Sequence, residues 1–269
     1  MNQTQLGVIT LLKSALTGQA LPLPGEFDLG EALPGLKSHH MSTLLYEGAQ
    51  LCGIDRGTPV MQSLFRSYCM AMLVSEGQMQ ALERIYAVFD SRGIDYMPLK
   101  GSRMKAMYPR PELRLMGDAD LLIRTEQYDR IVPVMEELGF VSKHGSDHEL
   151  VWISGELYLE LHKRLMPTYE SDFYGYFGEG WDFAVPTRGG CHEMTVEDEF
   201  VYLFVHFAKH FREGGVGCRY VADLWVYRSA HPDMDEEKVQ AAMERLGLRD
   251  FYGNIRRVMA AWFEDGPRR

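Results

Sequence analysis

The chain has 269 residues, 46% hydrophobic and 12% aromatic, enough for one large folded domain or two small ones and too apolar for a disordered chain. Its net charge of −10 argues against a general polyanion-binding surface, because phosphate backbones are held by clustered Lys and Arg. Four scattered cysteines (Cys52, Cys69, Cys191, Cys218), no basic-then-apolar leader and no apolar run of about 18 residues predict reduced, buried thiols in a cytoplasmic protein without a membrane span.

Leu6, Ile9, Leu12 and Leu16 recur at helical spacing and stop before Gly18. Residues 19–37 hold three prolines and three glycines and read as a loop, followed by a helix from Ser38 to Gln50. Thr58-Pro59 pairs an N-cap with a first-turn proline and launches a long helix toward Ser91. Gly77 would bend that helix, and Met61, Met70, Met72 and Met79 would fill core around it. Ile94 to Leu99 then reads as a short strand. Thr125 caps a helix through Val134 and Leu138, kinked at Pro133 and ended by Gly139. Residues 140–143, 149–154 and 156–163 read as antiparallel strands, with turns at Gly145-Ser146-Asp147 and Ser154-Gly155. The stretch 166–191 reads as an ordered loop. Thr195 with Asp198 opens a helix whose Phe200, Leu203, Phe204, Phe207 and Phe211 form a core stripe, and the remainder is helical. The sum is an α+β fold with an N-terminal helical segment (1–92), a small mixed-sheet core (93–190) and a C-terminal helical lobe (191–269).

The chemistry concentrates in the core. Lys100-Gly101-Ser102 follows the first strand, and a glycine-serine turn opening a helix can present backbone N–H groups to a phosphate. Asp118-Ala119-Asp120 opens a second strand. Alternation puts its two carboxylates on one face, about 7 Å apart, a spacing suited to hard divalent cations. The ordinary alternative is an acidic edge strand that blocks aggregation; a glycosyltransferase-type Asp-x-Asp is a second. Lys100, Arg103, Lys105, Arg110 and Arg114 reverse the charge of an otherwise acidic chain. Of these, Arg114 and then Lys100 are expected at a triphosphate, with Arg103 and Lys105 solvated. On the strand Leu157 to His162 the leucines face one way, while Tyr158, Glu160 and His162 face solvent or a cleft. His206 and His210 stand one helical turn apart and could line a cleft toward Asp223 or hold a metal. His39, His40, His144 and His148 read as solvent-side loop residues.

The order strand, Gly-Ser turn, helix, Asp-x-Asp strand resembles the DNA polymerase beta-like nucleotidyltransferase superfamily. The fuller text resembles its uncharacterised bacterial nucleotidyltransferase family: Leu99-Lys100-Gly101, Tyr108-Pro109, Arg114, Gly117 to Ile123, Leu159-Glu160-Leu161-His162, His206 to His210 and Arg219 to Asp223. The resemblance covers roughly residues 85 to 230 and implies a nucleotidyltransferase core. It implies Asp118, Asp120 and Glu160 as catalytic metal ligands for Mg²⁺ (or Mn²⁺). Lys100, Gly101, Ser102 and Arg114 are then the nucleotide-binding residues, and His162, His206, His210 and Asp223 cleft residues. The implied reaction moves a nucleoside monophosphate from a nucleoside triphosphate to a hydroxyl of a small-molecule or protein acceptor; the net acidity argues against long nucleic acid as that acceptor, and the lack of a long apolar run against a membrane. Two other classes are open: a non-catalytic nucleotide-binding module of the same fold, and a metal-dependent phosphohydrolase using His206, His210 and Asp223. Because like charges repel, replacing both Asp118 and Asp120 by Asn is expected to leave the metal-free protein as stable as before or more so.

Overall fold

The computed structural model describes residues 1–264 except Asp147 and Glu156, and the backbone but not the side chains of residues 37–39. The expected roles of His39, Asp147 in its turn and Glu156 at a strand start therefore lie outside the described residues. The chain opens with α1 (Gln3–Thr17), ended by Gly18 in the left-handed region. A short α2 (Leu29–Ala32) and a 3-10 turn (Leu33–His39) break the expected loop, so α3 (Ser42–Leu51) starts later than its apolar pattern alone implied. Helix α4 (Pro59–Arg92) runs unbroken through Gly77, capped by the Thr58 side chain and closed by Gly93 at φ 60°. Its methionines divide: Met61 is buried, whereas Met70 and Met72 stand on the outer face rather than in core.

Strands β1 (Tyr96–Leu99), β2 (Ala119–Ile123), β3 (Val141–Lys143), β4 (Glu149–Ser154) and β5 (Leu157–His162) form one mixed sheet in the order β1-β2-β5-β4-β3. Only the central β2–β5 pair is parallel. Between strands lie α5 (Lys100–Lys105) after β1 and α6 (Tyr128–Glu137) after β2. The segment expected to be a loop contains α7 (Ser171–Phe177) and β6 (Val185–Pro186), which pairs with β7 (His192–Glu193) just beyond it. Four helices complete the chain: α8 (Val196–Glu213), α9 (Cys218–Ala230), α10 (Glu236–Arg245) and α11 (Arg249–Phe263).

Strand alternation sorts the sheet into two faces. Ala119, Leu121, Ile123, Leu157, Leu159 and Leu161 pack on the second half of α4 and on α6. The opposite face offers Met97, Leu99 and Leu122 to a second core. That core joins the N-terminal helices to the C-terminal ones, and α1 touches α11. Asp120, Glu160 and His162 share this second face, so the sheet's polar patch is roofed by α8 and α9. The aromatic stripe of α8 is buried as expected except at its end, where Phe211 is 52% exposed. No disulfide joins the four cysteines, each of which is half-buried rather than buried. Among the described residues no helix is long and apolar enough to cross a membrane.

Candidate active site

The site is set by register. Leu99, the last residue of β1, pairs with Asp120, and Asp120 pairs in parallel with Glu160. Two backbone ladders thus fix the Lys100 turn, the Asp-x-Asp strand and the Glu-x-His strand side by side. Asp120 is 2% exposed, and its Oδ1 accepts from Lys100 Nζ at 2.8 Å and lies 2.8 Å from His162 Nε2. His162 Nε2 is also 3.4 Å from Glu160 Oε2. One donor atom from each of Asp120, Glu160 and His162 lies within 4.8 Å of the others, a set that could hold a metal ion. Asp118 leads into β2 and opens on the same cleft without joining that tight group.

Burial sets the electrostatics. Removal from water would raise the Asp120 pKa, but the Lys100 ammonium and the His162 hydrogen bond hold it far below the carboxylate range. Burial would likewise discharge Lys100, and the Asp120 carboxylate reverses this, keeping it an ammonium. Asp118 is raised, first by thinned water at the cleft wall and then by the neighbouring Asp120 charge. His206 is pushed well below its usual 6.5 by burial and by the Lys100 charge, so it stays neutral and its Nε2, 3.2 Å away, can accept from Lys100 Nζ. His210 Nε2 lies 3.1 Å from His206 Nε2.

The sign for pH follows. Below pH 6.5 the unfolded chain gains a proton at His206 that the folded chain refuses, so stability falls as pH drops, by up to about 1.4 kcal/mol per pH unit for one group. His206→Gln should flatten the melting temperature measured between pH 7 and pH 5. An unchanged acid slope would place the lost proton elsewhere.

The cleft above these groups has a volume of about 360 Å³. Lys100, Gly101, Arg114, Asp118, Asp120, Glu160, His162, His206, His210 and Asp223 all line it. Ser102 does not: it points to the other side of α5, into a separate cavity with Tyr86, Tyr96, Arg103 and Cys191. Nor does it cap α5, whose N-cap is Leu99. Arg114 is committed within the protein, its guanidinium gripping Asp223 through two bonds of 2.9 and 3.1 Å and donating to the Gly101 carbonyl at 3.1 Å. Tyr108 also donates to Asp223, at 2.7 Å. Arg103 and Lys105 are not solvated. Arg103 pairs with Glu193 and, through two bonds, Glu199; Lys105 is 2% exposed and donates to the Arg114 carbonyl. Burial and the Arg114 charge pull Lys105 down to about 8.

His148, expected in solvent, lines the cleft instead, because the β4–β5 pairing sets Glu149 opposite His162. Lys209, Arg219 and Tyr220 also line it and were not singled out as site residues. Lys209 lies three residues from His206, a spacing that shares a helix side and was the available signal.

Gly101 is closely packed. A Cβ there would lie 3.1 Å from the Asp118 carbonyl, 3.2 Å from Met116 Cγ and 3.4 Å from Arg114 Nη1. Gly101→Ala should push the lead-in to β2, weakening nucleotide affinity in calorimetry and lowering stability by about 1–3 kcal/mol. Unchanged affinity would separate the turn from the nucleotide.

Asp120 on β2, with Asp118 just before the strand, stands beside Glu160 on the parallel neighbour and beside the lysine-glycine turn, in the strand, turn, strand order of a nucleotidyltransferase core. The family model described as uncharacterised nucleotidyltransferase matches residues 25–264, and the chain belongs to that family; it is a nucleotidyltransferase. No curated protein matches the sequence. Two solved structures are similar to part of it. One is the solution structure of the antibiotic-resistance factor ANT(2'')-Ia, 16% identical with a TM-score of 0.46, covering 68% of this chain and 97% of that one. The other is the crystal structure of ANT(2'')-Ia in complex with adenylyl-2''-tobramycin, 15% identical with a TM-score of 0.45, covering 65% of this chain and 99% of that one.

Proposed function

We propose that the cleft transfers a nucleoside monophosphate from a nucleoside triphosphate to an acceptor hydroxyl, releasing pyrophosphate. The observation that carries this reading is the register that sets Asp120 between Leu99 and Glu160, at the end of the Lys100-Gly101 turn. Asp118, Asp120 and Glu160 would hold a divalent cation; the clustering of Asp120, Glu160 and His162 donor atoms within 4.8 Å supports the fit for Asp120 and Glu160, while Asp118 opens on the same cleft. Two carboxylates suit Mg²⁺, and the imidazole among them suits Mn²⁺ as well. When bound, the cation neutralises phosphate charge and steadies the charge that develops during transfer.

The chain's own residues supply the rest. Lys100 brings a permanent cation to the phosphates, and Arg219 and Lys209 add positive charge along the cleft. Glu160 would take the proton from the acceptor hydroxyl as its oxygen attacks the α-phosphorus and the bond to the pyrophosphate oxygen breaks. Arg114, held by Asp223, fixes the Gly101 carbonyl and so the turn itself. The phosphohydrolase alternative finds less support. Asp223 is engaged by Arg114 and Tyr108, and the His206, His210 and Asp223 trio forms no metal-holding group among the described residues.

The test uses the purified protein with each of the four nucleoside triphosphates, labelled at the α-phosphate, Mg²⁺ or Mn²⁺, and a panel of hydroxyl-bearing small molecules. Labelled acceptor with equimolar pyrophosphate is expected. Failure of all four triphosphates to bind in calorimetry with either metal would overturn the reading; binding without transfer to any acceptor, unaffected by Asp118→Asn, would favour the non-catalytic module.

A further inference from the structure

Lys100 stands where its backbone should not. Its φ is +39°, one of two non-glycine residues with positive φ among those described, in a region where a side chain strains the backbone by about 1 kcal/mol or more. The turn is nevertheless built with lysine, and the result is an ammonium only 14% exposed, 2.8 Å from Asp120 Oδ1 and 3.2 Å from His206 Nε2. That same Oδ1 lies 2.8 Å from His162 Nε2. This oxygen of Asp120, a residue of the donor group, is therefore already engaged from two sides by the protein's own side chains.

A divalent cation and an ammonium at ligand distance from one carboxylate repel each other strongly in a poorly hydrated cleft. The other acids near Lys100, Asp118 and Glu160, are ligands of the same proposed cation, and His206 offers it only a neutral nitrogen. A displaced buried ammonium needs an anion. The one anion that arrives with the metal is the triphosphate.

We infer that Lys100 is the site's resident counter-ion: it occupies Asp120 until the divalent cation enters, and its ammonium then passes to the triphosphate, so that metal alone binds weakly and metal and nucleotide bind as a coupled pair. This rests on the metal-dependent reading above. Because coupling between two ligands is reciprocal, Lys100 weakens metal binding in the empty site by the factor that its release later returns to the nucleotide.

The experiment is a titration of the nucleotide-free protein with Mn²⁺, followed by electron paramagnetic resonance, for wild type, Lys100→Gln and Lys100→Arg. Lys100→Gln should bind Mn²⁺ about tenfold more tightly than wild type, with Lys100→Arg staying close to wild type because it keeps the charge. Equal affinity in wild type and Lys100→Gln would overturn the counter-ion role alone. Absence of Mn²⁺ binding in every protein would overturn the metal reading and this inference together. A second measurement needs no variant: acylation of Lys100 in wild type, read by peptide mass spectrometry, should quicken when saturating Mn²⁺ frees the amine. A rate unchanged by metal would overturn the displacement.

Discussion

Asp120→Asn will abolish nucleotidyl transfer, by at least about a hundredfold in rate, and will also lower the melting temperature of the ligand-free protein. The loss of transfer follows from removing the carboxylate that lies opposite Glu160 and belongs to the one donor group identified among the described residues. The loss of stability is what the geometry adds. Like-charge repulsion between Asp118 and Asp120 suggested that Asn at both positions would be harmless or stabilising. Asp120, however, is already neutralised by Lys100 and His162, each 2.8 Å from its Oδ1. Removing one partner of a buried pair leaves the other uncompensated, which costs about 3 kcal/mol where one partner keeps some exposure. For a chain of this size that is roughly 6–12 °C. Asp118→Asn should behave oppositely. The Asp118 carboxyl is raised in the fold, so its ionised form at neutral pH is a burden, and its removal should leave the metal-free melting temperature unchanged or higher. Thermal melts of the two single variants, with and without Mg²⁺ and nucleotide, separate the roles. Equal apo stability in both would mean that the Lys100–Asp120 pair contributes nothing.

That contrast shows where the sequence was legible. The turn at Lys100, the strand of Asp120 and the strand of Glu160 are each signalled by a handful of adjacent residues, through glycine placement and period-two alternation. Their convergence is a consequence of β2 and β5 being parallel neighbours, consistent with the shared parity of Asp120 and Glu160. What local pattern did not carry was the partner of each charge. Arg103 meets Glu199 from α8, and Arg114 meets Asp223 from α9, across 96 and 109 residues. Arg103, read as solvated, is drawn in because α8 brings it a carboxylate, and Arg114, expected at a triphosphate, is taken up by one from α9; Lys105 is buried on the nearby Arg114 carbonyl. His148 was misplaced for the same reason: its loop is polar and short, and only the pairing of β4 with β5 turns it toward the cleft. Ser102 differs. A helix of 3.6 residues per turn rotates consecutive side chains by about 100°, so a lysine and a serine two apart cannot both face one cleft.

Asp223→Ala should be the most destabilising single change at the cleft, lowering stability by about 3–5 kcal/mol and the melting temperature on the order of 10 °C. Asp223 is 8% exposed and accepts from Arg114 twice and from Tyr108 once. Its loss leaves a guanidinium with 9% side-chain exposure without a counter-ion, and a phenol hydroxyl that burial and the Asp223 charge hold well above its usual pKa without an acceptor. The same pair joins α9 to the residues that lead into β2, and Arg114 relays the restraint to the Gly101 carbonyl. Nucleotide affinity should therefore fall with stability, whereas Mn²⁺ bound by Asp120 and Glu160 should persist in the folded fraction. A phosphohydrolase that used Asp223 as a ligand would lose its metal instead. The double variant Arg114→Met with Asp223→Leu supplies the control for burial. Replacing both charges by apolar groups removes the desolvation problem that a single change creates, and should recover much of the lost melting temperature. It should not recover nucleotide binding, because Gly101 still lacks its guanidinium donor. Should the double variant melt as low as Asp223→Ala, the residual Tyr108 hydroxyl, and not the stranded guanidinium, would be the source of the loss.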